Sequence, residues 1–255
     1  MSAAAMTLHQ MRYVNKAFWR NPASAFFTFV FPLMFLVIFT ALLGNGTVPI
    51  GGREMDQSTY YVAAMAAFAV ITACYNNISI GLTFQRDAGV LKRTNGTPLP
   101  ATAYIAARVL HALLVSLLLV AITVAFGRLF YSADVPTGAT LARFLVMVVV
   151  GAASFCALGI AITAVIPNAD AATPIVNATV LPLLFLSGIF IPLGDDAPTW
   201  ITWTARIFPV KHFADGMQAS FLGTTFRWSD VVAVGGWGLA GLILAVRSFD
   251  QEPRT

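Results

Sequence analysis

Charge is what this chain of 255 residues has least of. Asp, Glu, Lys and Arg make up 10 % of it, where a soluble domain carries about 25 %. Cysteine is nearly absent too. The two present, Cys74 and Cys156, fall inside apolar runs and read as small buried hydrophobes, which excludes a disulfide framework. The three histidines, His9, His111 and His212, are far apart, and no zinc-ligand spacing occurs, so no metal site is expected. No G-x-x-x-x-G-K followed by Ser or Thr occurs, so the chain is not expected to hydrolyse ATP by itself.

What is present is apolar: 58 % of the residues are hydrophobic. A soluble globule of this length could not hide so much apolar surface, which makes the chain an integral membrane protein. The net charge of +4 needs no nucleic acid to explain it, since basic residues beside membrane spans give the same balance. A hydrocarbon core of about 30 Å needs about 20 helical residues. Six segments meet that length: Ala23–Leu43, Tyr60–Leu82, Ala103–Phe126, Ala142–Ile166, Thr173–Ile191 and Asp230–Val246. The expected fold is therefore an all-α polytopic membrane protein with six transmembrane helices. The first apolar run is too long for a signal peptide and is read as a retained first span.

Orientation follows from the basic residues. With the N-terminus in the cytoplasm, nine lie inside or near the inner face and six outside. Arg12, Lys16 and Arg20 precede the first span and only Arg53 follows it, so both termini are expected in the cytoplasm and the chain in the plasma membrane. Residues 1–22 read as an amphipathic helix in the cytoplasmic interface. Leu8, Met11, Val14 and Phe18 recur at helical spacing beside the strip Arg12, Lys16, Arg20, and Asn21-Pro22 favours a break before the span. Residues 194–227 are too long and too aromatic for a turn and read as two short outer helices at membrane depth. Asp195 or Asp196 is expected to cap the first, with Pro198 in its first turn and Trp200 on it, and Pro209 heads the second.

Few side chains offer chemistry. The spans lack charge near their midpoints, where an ion-coupled carrier usually places a carboxylate or histidine. His111 is read as a hydrogen-bond partner of a neighbouring helix rather than a proton relay. Adjacent Asp195 and Asp196 point about 100° apart on a helix and do not converge as a catalytic pair. Asn76 and Asn77 in span two and Asn177 and Thr179 in span five are uncharged polar groups at depth. They join helices or line a substrate path, and Phe31 and Phe35 of the aromatic first span are candidates for the same path. Gly235, Gly236, Gly238 and Gly241 permit close helix approach in span six.

The stretch RDAGVLKRTNGTPLP, residues 86–100, is a compact charged element between two apolar spans, in the first cytoplasmic loop. Asp87 near its start and Lys92 and Arg93 near its end complement a short helix dipole. Val90 and Leu91 supply apolar anchors, and Pro98 and Pro100 fix the departure of span three. Such an element is short, stiff and suited to docking on a soluble partner; read alone, its charges fit a positive-inside flank equally well.

Two stretches carry a family resemblance. FQRDAGVLKRTNGTPLP, residues 84–100, resembles the E-R-E-x-G-T-L-x-R-L-x-x-T-P-L segment of ABC-2 type exporter permeases. Residues 181–221 resemble the same family's P-x-x-F-x-S-G-x-x-x-P followed by a proline-headed outer helix. Permeases of the daunorubicin-resistance drug exporters look most similar. The resemblance implies one ABC-2 transmembrane domain over 1–255, of the type V exporter kind, with residues 84–100 a coupling helix held in a groove of a separate ATP-binding subunit. Arg86, Asp87, Gly89, Leu91, Arg93, Thr97 and Pro98 match family positions, while Gln85 stands for the usual Glu and Val90 for the usual Thr. It further implies two ATP-binding subunits carrying ATP and Mg, a second permease copy or paralogue, and outward movement of a hydrophobic or amphipathic drug, lipid or glycolipid. A self-contained ion-coupled multidrug transporter is the alternative. A membrane enzyme acting on lipids lacks any convergent His, Glu, Asp or Ser constellation.

Overall fold

The computed structural model describes residues 2–43, 46–50, 53–193, 198–223 and 225–248. Six helices long and apolar enough to cross a membrane run through it. Span one is Pro22–Leu43, span two Gln57–Asp87, span three Ala101–Tyr131, span four Gly138–Ile162, span five Ala169–Leu186 and span six Trp228–Ser248. All six expected spans are present. Span four stops at Ile162 rather than 166, because Thr163–Val165 tighten into i→i+3 turns. Span five begins at Ala169, where the Asn168 side chain accepts the Ala171 N–H, and ends at Leu186 rather than 191.

The N-terminal helix Ala3–Trp19 is separated from span one at Arg20–Asn21. The side chain of Asn21 accepts the Ser24 N–H, and Pro22 fills the first helical position, where its missing N–H costs nothing. This helix packs along span three, with Phe18 edge-on to His111 at 5.4 Å, while Leu8 stays exposed. His111 makes that ring contact and no hydrogen bond among the described residues, so its expected interhelical bond is corrected.

Span two is the centre of the bundle. Every residue from Gln57 to Ile71 is buried, although its mean hydropathy of 1.4 is the lowest of the six. Six of those fifteen positions are Ala or Ser, whose small side chains let neighbours approach from all sides. A protein-facing helix needs fit rather than grease. Its ladder changes at Thr72–Asn76 into a single π turn and then resumes as α-helix. Gly159 of span four presses there: a Cβ on it would lie 2.9 Å from the Tyr75 carbonyl. Spans four and six are equally close. A Cβ on Gly238 would meet Ser154 Oγ at 2.4 Å and one on Gly241 would meet Leu158 at 3.0 Å, whereas Gly235 and Gly236 have room.

One end of the bundle carries a feature with no sequence expectation, the antiparallel hairpin Thr47–Ile50 with Arg53–Asp56, paired Thr47 to Asp56 and Ile50 to Arg53. At the same end the Asp134 N–H donates to Thr59 Oγ1 at 3.0 Å and the Tyr60 hydroxyl donates to the Gly188 carbonyl. Two short helices lie there, Thr199–Ile207 and Pro209–Leu222, as expected. Pro198 holds the cap position of the first and is not in its first turn, which corrects that expectation. Asp195 and Asp196 lie outside the described residues. Trp200 on this helix is exposed, and Pro209 opens the second helix. Trp237 Nε1 donates to the Ile207 carbonyl at 3.0 Å. The joint between the helices therefore sits nine residues into span six, about 13 Å from its start at 1.5 Å per residue.

Candidate functional site

Two places at the other end and in the middle of the bundle concentrate polar side chains. The first is the loop between spans two and three. Residues 84–87 are the last turn of span two, Ala88 and Gly89 form a turn, and Val90–Asn95 is a helix of six residues. The element is thus two pieces, and Asp87 closes the first rather than opening the second. Gly89 supplies the turn: its φ of +67° lies in the left-handed region, and no atom lies within 4 Å of where a Cβ would be. The glycine answers to backbone conformation there rather than to a close neighbour.

Arg86 is buried. Its Nη1 donates to the Thr163 carbonyl at 3.1 Å, and its Nη2 donates to the carbonyls of Ile166 at 2.9 Å and Pro167 at 3.1 Å. These carbonyls belong to the end of span four and the loop after it, where helix carbonyls lack partners and the dipole favours a cation. Asp87 does the converse. Its Oδ2 accepts the Ala169 N–H at 2.5 Å, at the start of span five, and its Oδ1 accepts Arg86 Nε at 3.3 Å. One charge pair caps two helix ends and fixes both to span two.

The other motif residues also bind their own chain. Gln85 Oε1 accepts the Tyr104 hydroxyl of span three. Arg93 folds back, Nε donating to the Gly89 carbonyl at 3.3 Å and Nη2 to the Ala88 carbonyl at 2.8 Å. Thr97 Oγ1 donates to the Thr94 carbonyl at 2.6 Å. Leu91 is 3 % exposed and belongs to the main core, so it is not the outward anchor expected of it. The outward face is formed by Ala88, Lys92, Arg93, Gly96, Thr97 and Pro98, with Val90 half-buried beside it. Phe84, half-exposed one turn above, adds an apolar side chain to this face that sequence reasoning missed. Its signal was a lone aromatic at the end of an apolar run.

The second place is a groove of about 400 Å³ between spans one, two and five. Phe31, Asn76, Asn77 and Asn177 line it together with Thr28 and Thr72, so four of the six expected path residues converge. The π turn is what aims Asn76 there, and its Oδ1 is buried with no hydrogen-bond partner among the described residues. π turns recur at functional positions because the extra residue redirects side chains. Phe35 packs inside the chain instead, 5.9 Å from Phe68 and 5.5 Å from Phe190. Thr179 faces away and bonds the Tyr75 hydroxyl at 2.9 Å. The groove is apolar with amide donors and acceptors and no charge.

On the hairpin side the two short helices are pinned to span six. Lys211 Nζ donates to Asp215 Oδ1 at 2.6 Å, Arg227 approaches Asp215 at 3.9 Å and Asp230 at 3.5 Å, and His212 Nδ1 meets the buried Asp230 at 2.7 Å. No group of three His, Cys, Asp or Glu that could hold a metal exists among the described residues.

Residues 9–222 match the model of the ABC-2 type transporter family. A putative transport permease, ycf38, of Porphyra purpurea is 24 % identical over 223 residues, 86 % of this chain and 75 % of the relative. The daunorubicin resistance ABC transporter permease protein DrrB1 of Streptomyces coeruleorubidus is 26 % identical over 232 residues, 89 % of this chain and 78 % of the relative. With six apolar helices and a family match over most of its length, the chain belongs to the ABC-2 type transporters as a multi-pass membrane permease.

Proposed function

We propose that this chain is the membrane subunit of an ATP-driven exporter, energised by two separate ATP-binding subunits that carry ATP and Mg, and paired with a second permease copy or paralogue. Both termini lie in the cytoplasm, which puts the loop between spans two and three where a soluble ATPase can reach it. The observation that carries the reading is the Arg86–Asp87 pair. A push on the outward face of Val90–Asn95 passes through a buried leucine and two helix-end caps to spans two, four and five together. A loop that served only as a positively charged flank needs no such rigid tie.

Cargo is a hydrophobic or amphipathic molecule, a drug, lipid or glycolipid, moved outward. The uncharged amide groove between spans one, two and five is the section of the path this chain contributes. A polar group of the cargo answers the unpaired Asn76 Oδ1. The similarity to a daunorubicin resistance permease makes an anthracycline the first compound to try. The test is ATP hydrolysis in liposomes, with the purified chain alone and with its ATP-binding subunit, across a panel of daunorubicin, phospholipids and glycolipids. The chain alone is expected to be silent, the complex active and stimulated by its cargo. Turnover by the chain alone overturns the reading.

A further inference from the structure

Beside the N-terminal helix lies a second cavity, of about 300 Å³, enclosed by that helix and spans one, two and three. Its polar wall is Asn21, Ser24, Asn77, Gln85, Arg108 and His111, and no carboxylate lines it. Arg108 is the dominant group. Its guanidinium lies 5.2 Å from the centre of the Tyr104 ring, and its Nε is buried without a hydrogen-bond partner. It makes no salt bridge among the described residues, although an arginine stays charged in a protein. Every other buried or half-buried span-end charge described above has a partner, so this one stands out as a cation held ready.

Two amides of the wall turn donors to the cavity. The Oε1 of Gln85 is taken by the Tyr104 hydroxyl and the Oδ1 of Asn21 by the Ser24 N–H, which leaves both amide NH₂ groups to the cavity. Gly81 forms the floor: a Cβ there would already touch Arg108 Nη1 at 3.5 Å. A fork of guanidinium donors with amide donors around it and no competing anion is the chemistry of phosphate recognition. Depth names the source. Arg108 is seven residues past the start of span three, about 10 Å along a 31-residue helix that overshoots the hydrocarbon core by about 16 Å. That places it at the boundary between headgroup and acyl chain. Exposed Trp19 and Arg20 at the end of the N-terminal helix mark the same level.

We infer that this cavity binds the phosphate of an anionic phospholipid of the leaflet on that side, one lipid per chain, with Arg108 as its main ligand. The lipid seats the N-terminal helix against spans two and three. The site stands on the cavity alone and not on the transport reading.

Native mass spectrometry of the full chain, released from micelles of mixed phosphatidylglycerol and phosphatidylcholine, tests it. Wild type is expected to retain one phosphatidylglycerol in preference to phosphatidylcholine. Arg108→Gln is expected to retain about tenfold less, the loss of a charge-assisted bidentate contact. Arg108→Lys should fall between them, and Arg20→Gln, which removes an equal charge outside the cavity, should match wild type. Millimolar inorganic phosphate should not displace the lipid. If Arg108→Gln fails to fold, Gly81→Val narrows the floor without removing charge and must show the same loss. Equal retention of both lipids, undiminished binding in Arg108→Gln, an equal loss in Arg20→Gln, or displacement by free phosphate each overturns the assignment.

Discussion

Arg86 and Asp87 neighbour each other in sequence and cap the facing ends of two helices that begin and end some eighty residues away. Removing a buried charged partner leaves the other groups unpaired, so Arg86→Ala is expected to lower stability by about 3 kcal/mol. Lys92→Ala, on the exposed face, should stay within about 0.5 kcal/mol. Thermal unfolding of the detergent-solubilised chain separates the two; equal midpoints would contradict the capping role. The same scale settles what Gly89 and Leu91 do. Gly89→Ala is strained by its left-handed backbone and should cost about 1–2 kcal/mol, with Asn tolerated better. Leu91→Asp puts a charge into the core and is expected to reduce folded protein, so it cannot serve as a clean docking variant.

At the scale of elements, the six spans were legible because twenty apolar residues in a row have one physical meaning. The elbow at Asn21-Pro22 and the short helix headed by Pro209 were legible from their capping chemistry. Three features were not. The hairpin strands have four residues each, too few for a period-two pattern to register. The π turn at Thr72–Asn76 carries no local signal, since it contains neither Gly nor Pro, and its partner Gly159 lies in another span. The loop motif was recognised but its residues were assigned outward, because a sequence does not show that Arg86 reaches carbonyls at 163–167. Ala88 and Lys92, which the resembling motif leaves open, are exposed, and so are Arg93 and Thr97, which it specifies and which also hold the loop's shape. Two predictions belong here. Gly159→Leu forces a side chain onto the Tyr75 carbonyl and should cost about 1–3 kcal/mol and displace the π turn, read as faster hydrogen exchange over residues 72–77. Asp230→Ala leaves His212 without its carboxylate and Arg227 with Asp215 alone, and should loosen the two short helices by about 1.5–3 kcal/mol, read as protease sensitivity at 199–222 with the spans intact. Unchanged cleavage would show that packing alone holds them.

For the whole molecule, a core around span two separates two ends of different build. One end bears the hairpin and the pinned outer helices, the other the loop tied to spans four and five. Orientation is open to a direct check, because the two native cysteines are buried. Asp134→Cys should react with a membrane-impermeant thiol reagent on intact cells, and Lys92→Cys should react only after lysis; the reverse pattern would invert the topology. The central claim is that a separate ATPase grips the outward face of the loop. Ala88→Trp adds bulk to that face and keeps the backbone carbonyl that Arg93 Nη2 bonds. The measurement is the amount of ATP-binding subunit that copurifies with the full chain at equal membrane expression. Wild type is expected to retain it and Ala88→Trp to lose it together with ATP hydrolysis, whereas full retention and full hydrolysis in Ala88→Trp would contradict the account.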